Sequence, residues 1–402
     1  MIRVAVDTST DFFWGGSFQY AAAVIASLAD LDRSKYTIHV WHNGTNWEDF
    51  LQRKSIVGHS KDRLKLPAHI QSLLRTMEAD GEKNDAASAM QKKKLSELIS
   101  LHAMRESIEY FAPHIVIFPQ MVPGQFVDGA CHIGVIHDLM HRYEPDFPEV
   151  SAEGQYEARE RYFAGAVARC EKLLVDSATG AAQVLESYPN ARAEQLAVVP
   201  FTASRELVRK EPLKPQQDVP EKFFFYPAQF WKHKNHVALA RAVIRLKKEL
   251  PNIHVVLTGT SDKNGYADFT ALVKSADISQ HFSYLGYVTD EEMVWLYRNA
   301  QALVMPTFFG PTNIPPLEAM ALGCPVAVSG IYGMPESYGN AALYFDPKKV
   351  ADIADVMRQL WNDDSLCSAL RSRGLERAAN YTFADFASKI RAVVEELAST
   401  IG

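Results

Sequence analysis

The segment Ala302–Ser329, ALVMPTFFGPTNIPPLEAMALGCPVAVS, indicates the fold of this chain more clearly than any other stretch. The apolar run Ala302–Met305 predicts a buried strand, and a loop rich in Gly, Pro, Thr and Asn follows it. A helix is predicted to begin at Pro315-Pro316, because proline has a fixed helical φ and loses no hydrogen bond at the first helical position. The run Pro325–Ser329 predicts a second buried strand. A strand, a helix and a strand in this order are typical of a parallel sheet.

The same alternation of strands and helices continues on both sides of one linker. The linker is a polar stretch that contains Pro212, Pro215 and Pro220. The strands predicted before it are Ile2–Val6, Tyr36–Trp41, His114–Phe118, Ile133–Ile136, Leu173–Asp176 and Leu196–Val199. The strands predicted after it are Phe223–Tyr226, His254–Thr258, Ser283–Leu285, Ala302–Met305, Pro325–Ser329 and Leu343–Phe345.

Two halves of this kind predict an α/β protein with two Rossmann-like, doubly wound parallel-sheet domains that face each other across a cleft. We expect a first domain over residues 1–205, a linker over 206–220 and a second domain over 221–382. A closing helix over about 383–402 is expected to pack back on the first domain. Since such sheets bind ligands at the carboxyl ends of their strands, the chemistry is expected in the loops that follow strands.

The composition excludes several classes of protein. The 402 residues are 47% hydrophobic and 22% charged, which is ordinary for a globular protein and unlike a disordered or collagen-like chain. A formal net charge of −6 argues against a general nucleic-acid binder. The four cysteines form no CxxC pair, so a zinc ribbon has no support. With no signal peptide and no long apolar run evident, the expected location is the cytoplasm.

A cluster of cations follows the first predicted strand of the second half. The stretch Phe223–His236 reads FFFYPAQFWKHKNH, and Lys232, His233 and Lys234 lie in the loop between a strand and a helix. Cations at the carboxyl end of a strand and the N-terminus of a helix suit a diphosphate. The alternative is an ordinary solvated loop.

Three other features lie between predicted strands and helices. Gly15-Gly16 forms a turn whose backbone can approach a ligand closely, although it lacks the full dinucleotide-binding pattern. Glu318 lies in the first turn of the helix after Met305, where complementing the helix dipole is the alternative explanation for a carboxylate. His137 and His141 have the spacing of a metal-binding helix, but Asp138 stands in the place of the expected glutamate. His137 is therefore interpreted as a residue at a strand end rather than a metal ligand.

Taken together, these segments resemble the retaining glycosyltransferases of family 4, which have the GT-B fold. GPTNIPPLEAMALGCPV, at Gly310–Val326, is similar to the EGFGLPPLEAMACGTPV of that family. Ala228–Asn235 is similar to its GRLxxRKG segment, Gly15–Tyr20 to its GGIGRY loop, and Val135–Asp138 to its TIHD. The resemblance covers nearly the whole chain, least well between Glu48 and Pro113, and is most specific in the C-terminal half.

The resemblance implies a role for each matching residue. Glu318 would bind the ribose hydroxyls of a nucleotide sugar, Lys234 would hold its diphosphate, and His137 would contact the donor sugar near the reacting carbon. These three residues are the catalytic candidates. The donor-binding candidates are Gly15, Gly16, Gln229, Lys234, Tyr287, Val288, Gly310, Pro311, Thr312, Asn313, Ile314 and Glu318. The first domain would then lie on the acceptor side, and the second would bind the nucleotide sugar.

Two departures from the family pattern lie in the same expected site. Gly310 stands where the family has the first of its two glutamates, and Gln229 stands where it has an arginine. One negative and one positive group are therefore missing together. Gln229 can still donate a hydrogen bond, though a weaker one than a charged group makes. Lys232 is a candidate for replacement charge, and Thr312 and Asn313 are candidates for replacement sugar contacts.

The resemblance implies a retaining transfer of a hexose, of mannose or glucose type, from a GDP- or UDP-linked donor to a glycan or lipid-linked acceptor. It implies no metal and no other cofactor, since fixed cations would stabilise the leaving diphosphate. Surface polysaccharide or lipid-linked glycan assembly is the expected role. The Lys-containing helices predicted around Lys61–Arg105 are interpreted as a solvated insertion. Contact of these helices with an acceptor, or peripheral association with the inner membrane surface, stays open.

Two other functions stay open at this point. The same architecture occurs in nucleotide-sugar epimerases and in glycogen-type phosphorylases, which would need a pyridoxal-phosphate lysine. A catalytically inactive nucleotide-sugar-binding protein is the other alternative, prompted by Gly310 and Gln229. The donor sugar, its base, the acceptor, the linkage and the oligomeric state cannot be read from the sequence.

Overall fold

A computed structural model describes residues 1–8, 16–42, 46–60, 102–120, 126–310 and 313–401. The helices predicted around Lys61–Arg105 therefore lie mostly outside the described residues. The chain divides into two compact units. The first comprises Met1–Val135, Tyr162–Leu174 and Ala387–Gly402, and the second comprises Ile136–Arg161 and Val175–Phe386.

The first sheet has seven strands in the order β3-β2-β1-β4-β5-β6-β7. The strands are β1 (Ile2–Thr8), β2 (Tyr36–His42), β3 (Val57–Ser60), β4 (Ile115–Ile117), β5 (Cys131–Val135), β6 (Lys172–Val175) and β7 (Leu196–Val198). In the centre, Val4 of β1 lies opposite Ile38 of β2 and Ile115 of β4 in parallel register. Residues Val4–Val6 of β1 and all three residues of β4 are buried, and these stretches are continuously apolar instead of alternating. The exposed edge strand β3, VGHS, lacks that pattern, which is why the sequence did not predict it.

The second sheet has six strands in the order β10-β9-β8-β11-β12-β13. The strands are β8 (Phe224–Pro227), β9 (Val255–Thr258), β10 (Phe282–Tyr284), β11 (Ala302–Met305), β12 (Val326–Ser329) and β13 (Ala342–Phe345). Their registered pairs are parallel. The strand order reverses between β8 and β11, where the first strand of the sheet pairs with the fourth. In such a sheet the loops that follow these two strands flank the ligand-binding crevice.

Helices separate the strands. Those that precede β8 are Gly16–Leu28, Asn46–Arg53, residues 102–111, Met140–Tyr143, Pro148–Ser151, Gln155–Arg169, Ala178–Ser187 and Arg205–Val208. Those that follow it are His236–Leu246, Tyr266–Ser275, Asp290–Asn299, Ile314–Ala321, Met334–Tyr338, Val350–Asn362, Asp364–Ala379 and Phe383–Thr400. None of the helices that the structure describes has the length and hydropathy of a membrane-spanning segment.

The first three residues of the strand β8 and the residue before them are buried in the core of the second unit. Phe223, Phe224, Phe225 and Tyr226 have no exposed surface, and they pack beneath the helices on both faces of the sheet. The predicted α/β class and the two doubly wound parallel sheets are confirmed. The loop after β8 thus starts from a rigid strand, which fixes where its polar residues can lie.

Candidate functional site

The loops that follow β8 and β11 are joined directly at the point where the strand order reverses. The 3₁₀ turn Lys232–Lys234 presents the carbonyl of His233, which accepts hydrogen bonds from the Phe308 amide at 2.8 Å and the Thr307 hydroxyl at 3.2 Å. The His233 ring stacks on Phe309, with centroids 3.9 Å apart and planes 8° from parallel. His233 and His236 are both buried. The alternative of an ordinary solvated loop is therefore wrong.

Lys234 lies at the centre of this arrangement. Its ammonium donates to Oδ1 of Asn313 at 3.3 Å, and its carbonyl accepts from the buried Tyr226 hydroxyl at 2.8 Å. The next residue, Asn235, has a φ of 61°, and this left-handed conformation turns the chain into the helix that begins at His236. Removal of the ammonium from water lowers the pKa of Lys234 to about 8, against the attraction of the Asp138 carboxylate. The side chain is a cation whose charge would be stabilised further by an anion.

Asn313 is held so that its amide oxygen points at the lysine. Its backbone amide donates to the hydroxyl of buried Tyr338 at 3.0 Å, and that hydroxyl donates back to the Asn313 carbonyl at 2.7 Å. Its side-chain amide donates to the Phe309 carbonyl at 3.0 Å. Since all these contacts are made within the second unit, the position of Asn313 does not depend on a ligand.

The N-terminus of the helix Ile314–Ala321 has fewer free backbone N–H groups than the N-terminus of an ordinary helix. Asn313 is its N-cap, and the Asn313 amide is already bonded to Tyr338. Pro315 and Pro316 have no N–H, so Ile314 is the one residue of the first helical turn that retains a donor ahead of Leu317. The helix dipole remains, but side chains must supply most of the hydrogen bonds that an anion would receive here.

Glu318, on the same helix, is buried with only 4% of its surface exposed. Its Oε2 accepts a hydrogen bond from the Tyr297 hydroxyl at 3.0 Å, and its Oε1 has no hydrogen-bond partner among the residues that the structure describes. Burial raises the pKa of Glu318 to about 7, the Tyr297 bond opposes this, and the nearby Asp290 charge adds to it. A carboxylate that merely complemented the helix dipole would lie in solvent. Glu318 instead has an oxygen left for a donor group.

His137 and Asp138 follow β5, on the segment that belongs to the second unit. Burial favours the protonated carboxyl of Asp138, but the attraction and hydrogen bond of the Arg159 guanidinium hold its pKa below the usual range. The His137 ring lies 5.8 Å from the ring of Phe201. Asp138 thus remains ionised close to Lys234, and His137 is its chain neighbour.

The histidines at i and i+4 do not form a metal site together. His141 lies 2.6 Å from a carboxylate oxygen of Glu160, which Arg142 also engages. Among the residues that the structure describes, no three His, Cys, Asp or Glu side chains are grouped as a metal ion would need. His141 is therefore part of a charged network of protein groups.

Glu149 contacts the 3₁₀ turn Lys232–Lys234, which we call the lysine turn. It lies in the short helix Pro148–Ser151, within the segment that also contains His137 and Asp138. Its Oε1 accepts a hydrogen bond from the His233 amide at 3.3 Å and lies 3.4 Å from Nδ1 of the His233 ring. The neighbouring Phe147 packs against Phe308 and Phe309, with centroids 5.1 and 5.4 Å away. Glu149 is thus in contact with the turn that carries Lys234.

Two polar residues of the loop after β8 were predicted to help bind the donor. Gln229 accepts a hydrogen bond from the Trp231 indole at 3.0 Å. Lys232 is exposed and lies 3.7 Å from Asp268, so it does not replace the missing charge inside the site.

The remaining predicted residues lie in or beside other loops. Tyr287 is 68% exposed and precedes buried Val288 ahead of the helix Asp290–Asn299. Gly310 is buried after Phe309, and Ile314 starts its helix. Gly16 starts the first helix of the first unit, while Gly15, Pro311 and Thr312 lie outside the described residues.

Three residues of the site were missed by sequence reasoning: Tyr297, Tyr338 and Glu149. Tyr297 and Tyr338 occur in helices whose apolar spacing predicts ordinary core positions, and only the fold brings their hydroxyls to Glu318 and Asn313. Glu149 is far from His233 along the chain, and a Pro-Glu pair at a helix start is common. No local pattern distinguishes these residues.

Residues 208–377 match the family described as Glycosyl transferases group 1. The serotype-specific mannosyltransferase WbdA of Escherichia coli is 26% identical over 291 residues, which cover 70% of this chain and 35% of that protein. The O-antigen chain mannosyltransferase B of Escherichia coli is 39% identical over 100 residues, which cover 25% of this chain and 26% of that protein. The match thus takes in about a third of the length, or less, of these curated relatives.

The comparison with solved structures concerns the fold. The sucrose-phosphate synthase (tll1590) of Thermosynechococcus elongatus superposes with a TM-score of 0.74 at 16% identity, over 100% of both chains. At that identity the likeness establishes the fold alone. The predicted GT-B class of two Rossmann-like, parallel-sheet domains is confirmed.

Proposed function

We propose that the protein is a hexosyltransferase that uses a nucleotide-diphosphate sugar as donor. The match of residues 208–377 to the family described as Glycosyl transferases group 1 supports this proposal. One observation carries the proposal. The half-buried Lys234 lies in the loop after β8 and donates a hydrogen bond to Asn313 in the loop after β11, at the strand-order reversal of the second sheet. Its pKa of about 8 leaves most of its ammonium charged at neutral pH, and that charge lacks much of its hydration. A diphosphate would replace the missing stabilisation.

The proposed donor site has two ends. At one end Lys234 would hold the diphosphate, and at the other Glu318 Oε1 would accept hydrogen bonds from the ribose hydroxyls. The backbone around Tyr287-Val288 would contact the base. Asp290, two residues after Val288, is near enough to Glu318 for its charge to act on that carboxyl, so this backbone lies at the Glu318 end of the proposed site. Gln229, Gly310 and the loop from Asn313 would complete the donor contacts.

The proposed reaction relies on positioning and on electrostatic stabilisation. As the bond between the anomeric carbon and the phosphate oxygen breaks, negative charge grows on the leaving diphosphate, and the Lys234 ammonium is already placed to stabilise it. Asp138 is bound by Arg159, so we do not assign it to nucleophilic attack. We propose a same-face substitution with retention of configuration: an acceptor hydroxyl oxygen bonds to the anomeric carbon as the diphosphate leaves, and the hydroxyl proton passes to the leaving phosphate oxygen. His137 would lie close to the reacting carbon, and neither a metal nor another cofactor takes part.

The finer assignments rest on the family and its relatives. Mannose is the hexose we favour over glucose, because the similar curated proteins are named mannosyltransferases. A GDP-linked donor is then tested beside a UDP-linked one. The acceptor is proposed to be a glycan or a lipid-linked glycan, as the name of an O-antigen chain enzyme suggests. We propose peripheral association with the cytoplasmic face of the membrane for a lipid-linked acceptor, with no role for nucleic acid.

The test is a panel of nucleotide sugars, assayed for release of the nucleoside diphosphate with and without oligosaccharide acceptors. The proposal expects release from GDP-mannose or UDP-glucose that increases with acceptor, together with a lengthened glycan detected by mass spectrometry. Conversion of the donor sugar to its epimer without any acceptor would contradict the proposal and support an epimerase. Donor binding by calorimetry with no turnover on any acceptor would contradict it in favour of a binding protein.

A further inference from the structure

Glu149 has a second carboxylate oxygen that the protein does not use. Its side chain is only 6% exposed, and Oε1 is occupied by the His233 amide. Oε2 is buried and has no hydrogen-bond partner among the residues that the structure describes. A buried carboxylate oxygen without a partner costs free energy, so a group that donates to it from a ligand would be favoured.

The charge at Glu149 is negative under physiological conditions. Burial alone would raise the pKa of its carboxyl, but hydrogen bonds from His233 and from its own backbone amide keep that pKa below the usual range. The adjacent His233 ring is neutral at pH 7, because burial lowers its pKa to about 4. The hydrogen bond from His233 to Glu149 therefore comes from a neutral backbone amide, and it leaves the carboxylate charge largely uncompensated.

Glu149 lies against the loop that contains Gly310. His233 contacts Glu149 on one side and stacks on Phe309 on the other, and Gly310 directly follows Phe309. Gly310 is buried and contributes no side chain to this loop. The carboxylate that contacts His233 is thus that of Glu149, which lies in the segment Ile136–Arg161 and not in the loop that contains Gly310.

The chemistry of the occupant follows from these charges. An anionic phosphate would be repelled by the Glu149 carboxylate, and Lys234, one residue along the turn, suits that phosphate instead. A hydroxyl is a neutral donor, and a carboxylate is a strong acceptor for it. A hexose attached to the diphosphate at Lys234 brings several hydroxyls to this part of the loop.

We propose that Oε2 of Glu149 accepts a hydrogen bond from a hydroxyl of the donor hexose. Glu149 would thus supply a carboxylate to the donor site, whereas Gly310, which has no side chain, supplies none. The proposal rests on the proposed function, since it requires a nucleotide-sugar donor. Glu149 would then be a donor-sugar-binding residue supplied by a different segment from the one that binds the nucleotide.

The test compares Glu149→Gln with the wild type by calorimetric titration of GDP, GDP-mannose, UDP and UDP-glucose. The substitution preserves shape and the contact with the His233 amide, and it removes the charged acceptor. Glu157→Gln is the matched control, because it removes the same charge from an exposed position on the same segment. We expect Glu149→Gln to weaken binding of the nucleotide sugar roughly 10- to 100-fold, with the affinity for the nucleoside diphosphate unchanged. Glu157→Gln should change neither affinity.

A second measurement identifies the hydroxyl. A set of donors that each lack one hexose hydroxyl is titrated into both proteins, and one deoxy donor should bind the wild type more weakly while binding Glu149→Gln as well as the parent donor does.

Two results would overturn the inference while leaving the proposed function in place. Glu149→Gln could weaken GDP or UDP as much as the sugar donor, which would mean that Glu149 only holds the lysine turn. It could also bind the sugar donor as tightly as the wild type does. If the wild type binds none of the four probes, the proposed function itself is wrong.

Discussion

Lys234 and Glu318 are the two ionisable groups at the ends of the candidate donor site, and the protein holds them in opposite ways. The lysine ammonium donates a hydrogen bond to Asn313, and the attraction of Asp138 opposes the effect of burial on the lysine pKa. The Glu318 carboxylate accepts a hydrogen bond from Tyr297, and the Asp290 charge acts on its pKa in the same direction as burial.

The comparison shows that burial brings both groups close to their titration points near neutral pH. The pKa of the cation falls to about 8 and that of the carboxyl rises to about 7. Each group would gain from a ligand of matching chemistry, an anion at Lys234 and neutral hydroxyl donors at Glu318. A nucleoside diphosphate carries both. Predictions that separate the two ends therefore test whether they serve one ligand.

The largest effect is expected at the lysine end. Lys234→Ala removes the charge that would stabilise the leaving diphosphate, and we expect kcat/KM for transfer to fall about 10²- to 10³-fold. Steady-state assays with the active donor measure it. Lys232→Ala is the matched control, because Lys232 is exposed beside Asp268 and should keep activity within about twofold. Equal losses in the two variants would mean that only the general positive charge of the loop matters.

A smaller effect is expected at the carboxylate end. Glu318→Gln keeps a hydrogen bond with Tyr297 but weakens acceptance from ribose hydroxyls, so the affinity for GDP or UDP should fall about 10-fold. Calorimetry with GDP and 2′-deoxy-GDP sharpens the result. The wild type should bind the deoxy nucleotide more weakly than GDP, whereas Glu318→Gln should bind the two alike. A variant that still prefers the ribose form would show that another group contacts the hydroxyls.

Tyr297→Phe should have a milder effect at the same end. The change removes the Tyr297 hydrogen bond to the Glu318 carboxylate, so the KM for the donor should rise about three- to tenfold while kcat stays within about twofold. Tyr344→Phe is the control, because it removes a hydroxyl that bonds to the Gly339 carbonyl away from Glu318. A fall in kcat with an unchanged KM would place Tyr297 in the chemical step instead.

The last effect concerns stability and has opposite signs at the two ends. The raised pKa of Glu318 means that the folded state holds its proton more tightly than the unfolded state, so wild-type stability falls as pH rises from about 4.5 to about 7. The lowered pKa of Lys234 means that the unfolded state binds more protons between about pH 8 and 10.5, so stability rises with pH there.

Denaturant unfolding across this pH range measures both trends. Glu318→Gln should gain about 1–3 kcal/mol relative to the wild type between pH 5 and pH 8. Lys234→Met should show its largest gain below about pH 8 and lose it by about pH 10.5. Profiles of the same sign for both variants would contradict the assigned pKa directions.

The sequence predicts the fold well because its strands are buried on both faces. Continuous apolar runs such as Ala302–Met305 can hardly form anything else between their turn residues, and the structure has that strand with the same bounds. The helix Asp290–Asn299 begins where Thr289 and Glu292 form a capping box, a start signal that lies in the local sequence. The edge strand Val57–Ser60 was missed because an exposed edge needs no such pattern.

The candidate site is less predictable, because its hydrogen bonds join distant parts of the chain. The loop positions of Lys234, Asn313 and Glu318 follow from the sequence. Their partners do not, since Tyr338 and Glu149 come from elements with ordinary local patterns. Pro315 and Pro316 predict a helix start one residue after the observed start at Ile314, and the same two prolines lack the backbone donors that a helix N-terminus would normally offer an anion.

A crystal structure of the protein with GDP or UDP bound shows directly whether Lys234 and Glu318 bind one nucleotide. We expect a phosphate oxygen within about 3.2 Å of the Lys234 Nζ, with the ribose hydroxyls on the Glu318 carboxylate. A well-ordered nucleotide bound elsewhere, in contact with neither side chain, would contradict this expectation.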